Sequence, residues 1–250
     1  MHIHGAASPL TTLFISDLHL CPERPKVNQA FFNFLQTRAT KADKLYILGD
    51  LFEAWIGDDD PAPLSQQVIC ALRALTDSGT QLYFLHGNRD FVIGKRFARE
   101  TGATLLKDHV LVTIGDEQVL VLHGDTLCTD DIAYQKFRRR VRSPLLLSIL
   151  RHLPLKTRQN IGIKGREKSM ASNSNKSASI MDVTPATVTA MMREYSVTTM
   201  IHGHTHRPFC HELLLDDGTP ARRIVLGDWS DKAWVVSANA HELRLFSFDI

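Results

Sequence analysis

The sequence predicts an α/β layered fold, and three observations predict it. Short apolar, partly β-branched runs alternate with helical patterns through the N-terminal half. Five such runs each end in a short polar motif: Asp17-Leu18-His19, Gly49-Asp50, Gly87-Asn88-Arg89-Asp90, His123-Gly124-Asp125 and Gly203-His204-Thr205-His206. The remaining apolar runs come in pairs around turn residues, as antiparallel hairpins do.

The elements follow in order. Residues 12–15 are apolar and close on Ser16-Asp17, a buried strand. Residues 27–40 carry apolar positions at helical spacing, and 45–48 form the next strand before Gly49-Asp50. A helix is expected over 64–78 and stops at Gly79; a strand follows at 82–85, then a helix over 95–101 that stops at Gly102. Residues 110–114 and 118–122 flank Gly115-Asp116-Glu117 and read as a hairpin, with 119–122 buried. Helical patterns then occupy 132–142, 145–152 and 184–195 without a convincing strand between them. The chain re-enters the sheet at 197–201, with 200–201 its buried part. Residues 211–215 with 222–226, and 233–237 with 242–248, close the sheets as hairpins. This order gives a core of residues 1–129 and 185–250 and an inserted helical cap of residues 130–184.

Composition bounds the function. With 250 residues, 44% of them hydrophobic and 22% charged, the chain can bury one large core and a small insert. No apolar run reaches the roughly 18 residues of a membrane span. The first residues lack the basic-then-apolar order of a signal peptide, and the histidines among them are given no role. Cys21, Cys70, Cys128 and Cys210 are scattered, with no Cys-x-x-Cys pair, which argues against a zinc ribbon or a dithiol site and suits a reducing compartment.

The net charge of +2 hides an asymmetry: from Lys136 to Lys168 there are eleven Lys or Arg and one acid, Glu167. Leucines at 145–147, 150, 153 and 155 interleave with these cations. Such a stretch suits an anionic, lipid-bearing surface; a solvated helix face or a nucleic-acid contact would also use the charge. Residues 169–179, SMASNSNKSAS, read either as a linker or as a loop whose hydroxyl, amide and ammonium groups grip phosphate or sugar oxygens.

The five motifs carry the chemistry. In open α/β sheets ligands gather beyond the carboxyl ends of the strands, where all five motifs fall. Mixed carboxylate, amide and imidazole donors suit Mn or Fe more than Mg alone. On an extended strand Asp17 and His19 would share a face, as would His204 and His206. Asp50, with two oxygens, can bridge two ions. One ion would then take Asp17, His19, Asp50 and His206, and the second Asp50, Asn88, His123 and His204. Two metals can clamp an in-line displacement at phosphorus.

In these motifs, over residues 12 to about 230, the chain resembles the calcineurin-like metallophosphoesterases. Within them it is similar to the UDP-2,3-diacylglucosamine diphosphatases of lipid A biosynthesis. The strings that carry this narrower likeness are YILGDLFEAWIGDDD (46–60), HGNRDF (86–91), HGDTLCTDD (123–131), MDV (181–183) and the polar loop with Ser169, Asn173, Lys176 and Ser177. The resemblance implies a four-layer sandwich, two mixed sheets flanked by helices, with the inserted helical cap. It implies two Mn²⁺ ions per chain and attack on the α-phosphorus of UDP-2,3-diacylglucosamine, giving UMP and 2,3-diacylglucosamine 1-phosphate. Asp50, Asn88, Arg89, His123 and His204 would be catalytic. Asn88, Arg89, Asp131, Ser169, Asn173, Lys176 and His204 would hold the substrate, with its acyl chains beneath the cap. The resemblance implies a peripheral protein on the cytoplasmic face of the inner membrane; contact with its anionic surface, a monomer and no nucleic-acid partner are expected with it.

One departure from the wider superfamily is informative. Many members have Gly-Asn-His-Asp where this chain has Gly87-Asn88-Arg89-Asp90. Arg89 cannot act as an acid near neutral pH but can grip a phosphate with two donors. That favours a diphosphate, whose phosphate leaving group, with a pKa of about 6, needs little protonation. A phosphodiesterase acting on a nucleotide or nucleic acid is the alternative: it would share the metal residues but has no use for an apolar, basic cap.

Overall fold

The computed structural model describes residues 10–174 and 182–250, with side chains for 10–166 and 182–250. Its first sheet contains β1 (Thr12–Ile15), β2 (Lys44–Ile47), β3 (Gln81–Phe84), β4 (Thr104–Leu105), β10 (Lys232–Ala238) and β11 (Leu243–Asp249), in the order β11-β10-β1-β2-β3-β4. The strands β1 to β4 run parallel, and β10 and β11 are antiparallel. The second sheet contains β5 (His109–Ile114), β6 (Glu117–Leu122), β7 (Thr199–His202), β8 (Phe209–Leu214) and β9 (Pro220–Val225), in the order β5-β6-β7-β9-β8. Here β6, β7 and β9 are parallel, with antiparallel partners at both edges.

Alternation along each strand builds the layers. Leu13 and Ile15 of β1, with Leu45 and Ile47 of β2, face a cluster shared with α1 (Pro25–Thr37), α2 (Pro63–Asp77) and α3 (Lys95–Thr101). Phe14 and Tyr46 point the other way and meet Val119 and Val121 of β6 and Ile201 of β7 between the sheets. The opposite face of the second sheet, with Leu120, Leu122 and Met200, is covered by Val188 and Met192 of α7 (Pro185–Glu194). Helices, two mixed sheets and a helix therefore stack in four layers, as the resemblance implies. Proline in the first turn starts α1, α2 and α7, where its missing N–H costs nothing. Gly102, at φ +76°, ends α3.

Between the 3₁₀ turn at Asp125–Leu127 and α7 lie α4 (Ile132–Val141), α5 (Pro144–His152) and α6 (Leu155–Ser174). The expected helices at 132–142 and 145–152 are α4 and α5. The expectation of a loop from residue 169 is corrected, because α6 continues to Ser174. Lys, Arg, Gln and Glu, all good helix formers, fill much of α6, but it lacks an apolar stripe. Periodicity therefore does not reveal it. No helix among the described residues is long and apolar enough to cross a membrane.

The loops after the parallel strands lie close together, and glycine permits this. Gly49 has φ +91°, and a Cβ on it would fall 2.3 Å from Gly87 N and 2.5 Å from Gly87 Cα. Both obstacles are backbone, so no side-chain rotation relieves them. Gly49→Ala should therefore lose at least about 2 kcal/mol of stability, read from the urea unfolding midpoint. An unchanged midpoint would contradict so close an approach of the two loops.

Candidate metal centre

Strand pairing ends before the motif residues, and their backbones turn sharply. Asp17, His19, Asp50, His204 and His206 all have φ between 51° and 69°, five of the six described non-glycine residues in the left-handed region. Asp17 and His19 are thus not on an extended strand, and neither are His204 and His206; the expectation of a shared strand face is corrected. The physical reason is that β1 stops at Ile15 and its loop turns to pair with the loop after β2. Asp17 N–H donates to Gly49 O (3.1 Å), His19 N–H to Asp50 O (3.0 Å) and Leu20 N–H to Leu51 O (2.9 Å). Each left-handed non-glycine residue costs about 1–3 kcal/mol unless its surroundings compel it, and such strain clusters at functional sites. Gly203 lets the last loop close on the first: a Cβ there would lie 2.1 Å from Asp17 Oδ2. His204 N–H donates to that same oxygen at 2.8 Å.

The side chains converge in two groups around Asp50. His19 Nε2 lies 3.3 Å from His206 Nε2 and 3.9 Å from Asp50 Oδ2, and His206 Nε2 lies 3.3 Å from Asp17 Oδ1. On the other side His123 Nε2 is 3.9 Å from Asp50 Oδ1 and 3.0 Å from Asn88 Oδ1. The His123 and His204 rings meet edge to face at 5.0 Å. All seven expected ligand residues are thus brought together, with one oxygen of Asp50 turned to each group.

Burial and charge set the protonation states. Burial, reinforced by His123, pushes His204 down to about 4, so its ring is neutral and can offer a lone pair. Burial would lower His206, but its contact with Asp17 and the charge of that carboxylate carry it up to about 9. Burial would raise Asp17, yet His206, His123 and His19 hold it well below the usual carboxylate range. Carboxylates that favour a proton on His206 would favour a divalent cation by the same attraction. Asp90, fully buried, is pushed up to about 7 by burial and by Asp50. It accepts from Gly87 N–H and Leu51 N–H at 2.8 Å each, so its role is to pin the Gly87–Asp90 turn to the loop that carries Asp50.

The donor set fits cations. His123 Nδ1 is 2.8 Å from Leu48 O; a carbonyl only accepts, so Nδ1 carries a proton and Nε2, 3.0 Å from Asn88 Oδ1, is the ring atom left to meet a cation. Asp17 Oδ1 is buried and faces His206 Nε2 at 3.3 Å, the contact that carries His206 up. Carboxylates and imidazoles crowded in a buried site need positive charge among them, supplied by a proton, as on His206, or by a cation. Asp17, His19 and His206 offer ligand atoms all within 4.8 Å of one another, and so do Asp17, Asp50 and His123.

Beside this cluster opens a cavity of about 550 Å³. Asn88, Arg89, Glu53 and Arg166 form a polar group in its lining, which also includes Arg158 and Tyr134; Trp55, Phe91, Phe137, Leu146, Leu150 and Ile161 are among its apolar lining. Sequence reasoning gave no role to Glu53, Tyr134 or Asp125. Tyr134 stacks on His204 with ring centroids 6.2 Å apart and donates its hydroxyl to Asp125 at 2.7 Å. The sequence signals for Asp125 and Glu53 are their places inside the HGD and GDLFE strings. Asp131 caps α4 by accepting Tyr134 N–H at 3.0 Å, and it is not among the residues lining the cavity. Lys176 lies outside the described residues, and the side chains of Ser169 and Asn173 lie outside the described side chains.

The basic stretch is only partly a surface. Arg138 pairs with Asp125 (2.6 Å) and Asp108 (2.8 Å), and Arg142 with Asp108 (2.7 Å) and Gly87 O (2.8 Å). Arg151 donates to Ile93 O at 3.0 Å, and the buried Arg158 pairs with Asp59 at 2.5 and 2.7 Å. These arginines hold α4, α5 and α6 against the loops that frame the cavity. Lys136, Arg139, Arg140, Lys156 and Lys164 are exposed.

The family model described as calcineurin-like phosphoesterase matches residues 10–208. The UDP-2,3-diacylglucosamine hydrolase of Pseudomonas putida (strain W619) is 53% identical over 237 residues, covering 95% of this chain and 98% of that protein. The protein so named in Ectopseudomonas mendocina (strain ymp) is 53% identical over 238 residues, with 95% and 98% covered. Its counterpart in Escherichia coli O7:K1 (strain IAI39 / ExPEC) is 51% identical over 239 residues, with 96% and 99% covered. Among solved structures, vacuolar protein sorting 29 from Cryptosporidium parvum superposes with a TM-score of 0.50 at 14% identity, over 97% of this chain and 92% of that one. The protein PH1004 from Pyrococcus horikoshii OT3 gives a TM-score of 0.50 at 11% identity, over 96% and 88%. These two likenesses show the fold alone.

Asp50→Asn removes the charge that both groups share while keeping the shape. The metal-stripped wild-type chain should bind two Mn²⁺ ions in equilibrium dialysis, and the variant at most one. Two ions retained by the variant would contradict the place given to Asp50.

Proposed function

This chain belongs to the calcineurin-like phosphoesterase family, and we propose that it is a hydrolase of UDP-2,3-diacylglucosamine. The observation that carries the reading is the cavity. It joins a polar end at Asn88 and Arg89, beside the Asp17–Asp50–His123 cluster, to an apolar interior under α4, α5 and α6. A substrate with a diphosphate at one end and acyl chains at the other matches both halves. The three bacterial relatives bear the name of that activity at 51–53% identity over nearly their whole length.

Two divalent cations, taken here as Mn²⁺, would supply Lewis-acid polarisation of the phosphate and a more acidic water when held by Asp17, His19, Asp50, Asn88, His123, His204 and His206. The chain's own groups do the rest. Arg89 lines the cavity beside Asn88 and Glu53, where its guanidinium would hold a diphosphate oxygen pair and steady the charge that grows on it. The His204 ring touches the His123 and Tyr134 rings, contacts that would hold it as a polar contact for the α-phosphate. Water adds to the α-phosphorus and the bond from that phosphorus to the bridging oxygen breaks. UMP forms, and the bridging oxygen leaves on 2,3-diacylglucosamine 1-phosphate. No acid is required at Arg89, because the leaving phosphate is a stable anion.

The exposed part of the basic stretch supports a place on the cytoplasmic face of the inner membrane. Ile132 (62% exposed), Phe137 (54%) and Leu145 (74%) stand among Lys136, Arg139 and Arg140, a surface that can enter the headgroup layer of an anionic bilayer. From there the substrate's chains would pass beneath a cap formed by residues 130–184.

Two experiments test this reading. The first incubates chelator-treated protein with UDP-2,3-diacylglucosamine in detergent, with and without added Mn²⁺, and measures UMP. UMP released only with metal is the expected result. Absence of UMP alongside turnover of an aryl phosphodiester would keep the family and discard this substrate in favour of a nucleotide or nucleic-acid diester. The second replaces Lys136, Arg139, Arg140, Lys156 and Lys164 together with Ser. Affinity for vesicles containing phosphatidylglycerol should fall by more than about tenfold, given about 1 kcal/mol per cation near such a surface. Unchanged sedimentation with the vesicles would remove the membrane-surface role.

A further inference from the structure

We propose that Glu53 is a positioning residue that fixes the His19 imidazole for its cation, so that one of the two ion places depends on Glu53 and the other does not. This rests on the two-cation reading above.

Glu53 is held beside His19 by backbone. Glu53 N–H donates to Leu20 O at 3.1 Å, and Leu20 bridges to Phe52 across the same pair of loops. Its carboxylate is largely buried and its two oxygens serve different neighbours. Oε2 is 3.2 Å from His19 Nδ1, while Oε1 is 3.1 Å from Arg166 Nε on α6 and 4.0 Å from Arg89 Nη1. His19 Nδ1 is buried and no aligned hydrogen bond reaches it, so this carboxylate is the acceptor within range as the ring settles on an ion. A proton kept on Nδ1 leaves the Nε2 lone pair toward Asp50 and His206.

The two halves of the site differ in this respect. His123 is oriented by the Leu48 carbonyl, a neutral backbone group that no side-chain change removes. His19 relies on a side chain, an anionic one that also holds two arginines lining the cavity, Arg89 and Arg166. A carboxylate behind a ligating histidine fixes its tautomer and raises its basicity, and losing it typically weakens metal binding by about 10–100-fold. The loss should therefore fall on the half built from Asp17, His19, Asp50 and His206, and spare the half built from Asp50, Asn88, His123 and His204.

The test titrates metal-stripped, full-length protein with Mn²⁺ and counts free ion by electron paramagnetic resonance, with no substrate present. Wild type should show two binding constants. Glu53→Ala should weaken one of them about 10–100-fold and leave the other within about twofold. Glu53→Gln, which can still accept from Nδ1 but has no charge, should fall between. Thermal unfolding of the metal-free variants reports folding separately, and Glu53→Gln keeps the test decisive if Glu53→Ala folds poorly. Two unchanged constants, or two constants weakened alike, would overturn the role. Because no substrate is used, failure to hydrolyse UDP-2,3-diacylglucosamine would leave a one-site effect standing, whereas a wild-type chain that binds fewer than two ions would overturn this inference together with the two-cation reading.

Discussion

Everything near the site depends on a local arrangement that is unfavourable by itself: carboxylates and imidazoles crowded together, largely out of water, at the ends of five strands. Asp17 and Asp50 are buried carboxylates, and His206 Nε2 lies 3.3 Å from both His19 Nε2 and Asp17 Oδ1; despite burial, the contact with Asp17 and its charge carry His206 up to about 9. Unpaired buried charge is among the most costly things a fold can contain. The rest of the molecule pays for it with rigidity. Backbone hydrogen bonds lock the loop after β1 to the loop after β2, Asp90 pins the Asn88 turn to that same loop, and Gly49, Gly87 and Gly203 permit approaches that a Cβ would forbid. Left-handed backbone at five ligand positions is a consequence: the side chains must point inward from loops that have no room to widen.

The helices between β6 and β7 follow a second logic. They bury little in the sandwich core, and neither α4 nor α5 contains a buried residue. Their attachment is by guanidinium groups: Arg138 and Arg142 to Asp108 and Asp125, Arg158 to Asp59, Arg166 to Glu53. Asp125 illustrates the coupling this creates. It lies two residues after His123, is held far below the usual carboxylate range by His123, Arg138 and Arg142 despite its burial, and accepts the Tyr134 hydroxyl whose ring lies on His204. Packing by ion pairs leaves the space beneath the helices open, whereas an apolar interface of ordinary density would fill it. The 550 Å³ cavity is what remains.

How much of this was legible in the sequence follows from the range of each interaction. Ligand identities and strand ends are local, so Asp17, His19, Asp50, Asn88, His123, His204 and His206 could be named from five short strings, and the alternation of Leu13, Phe14 and Ile15 already implies a sheet covered on both faces. The loop geometry was not legible: a spacing of two suggested an extended strand for Asp17 and His19, but left-handed turns are imposed by neighbouring loops that are remote in sequence. The inward arginines were hidden for the same reason, since the partners of Arg138 and Arg158 lie at 108, 125 and 59. Helix α6 escaped because it presents charge on most sides and offers periodicity nothing to detect.

On the proposed chemistry Asp50 stands between two cations. Crystals of the chain grown with Mn²⁺ and measured at the manganese absorption edge test it most directly. Two anomalous peaks are expected, one on the Asp17–His19–His206 side of the Asp50 carboxylate and one on the Asn88–His123–His204 side. A single peak, or peaks away from Asp50, would contradict it.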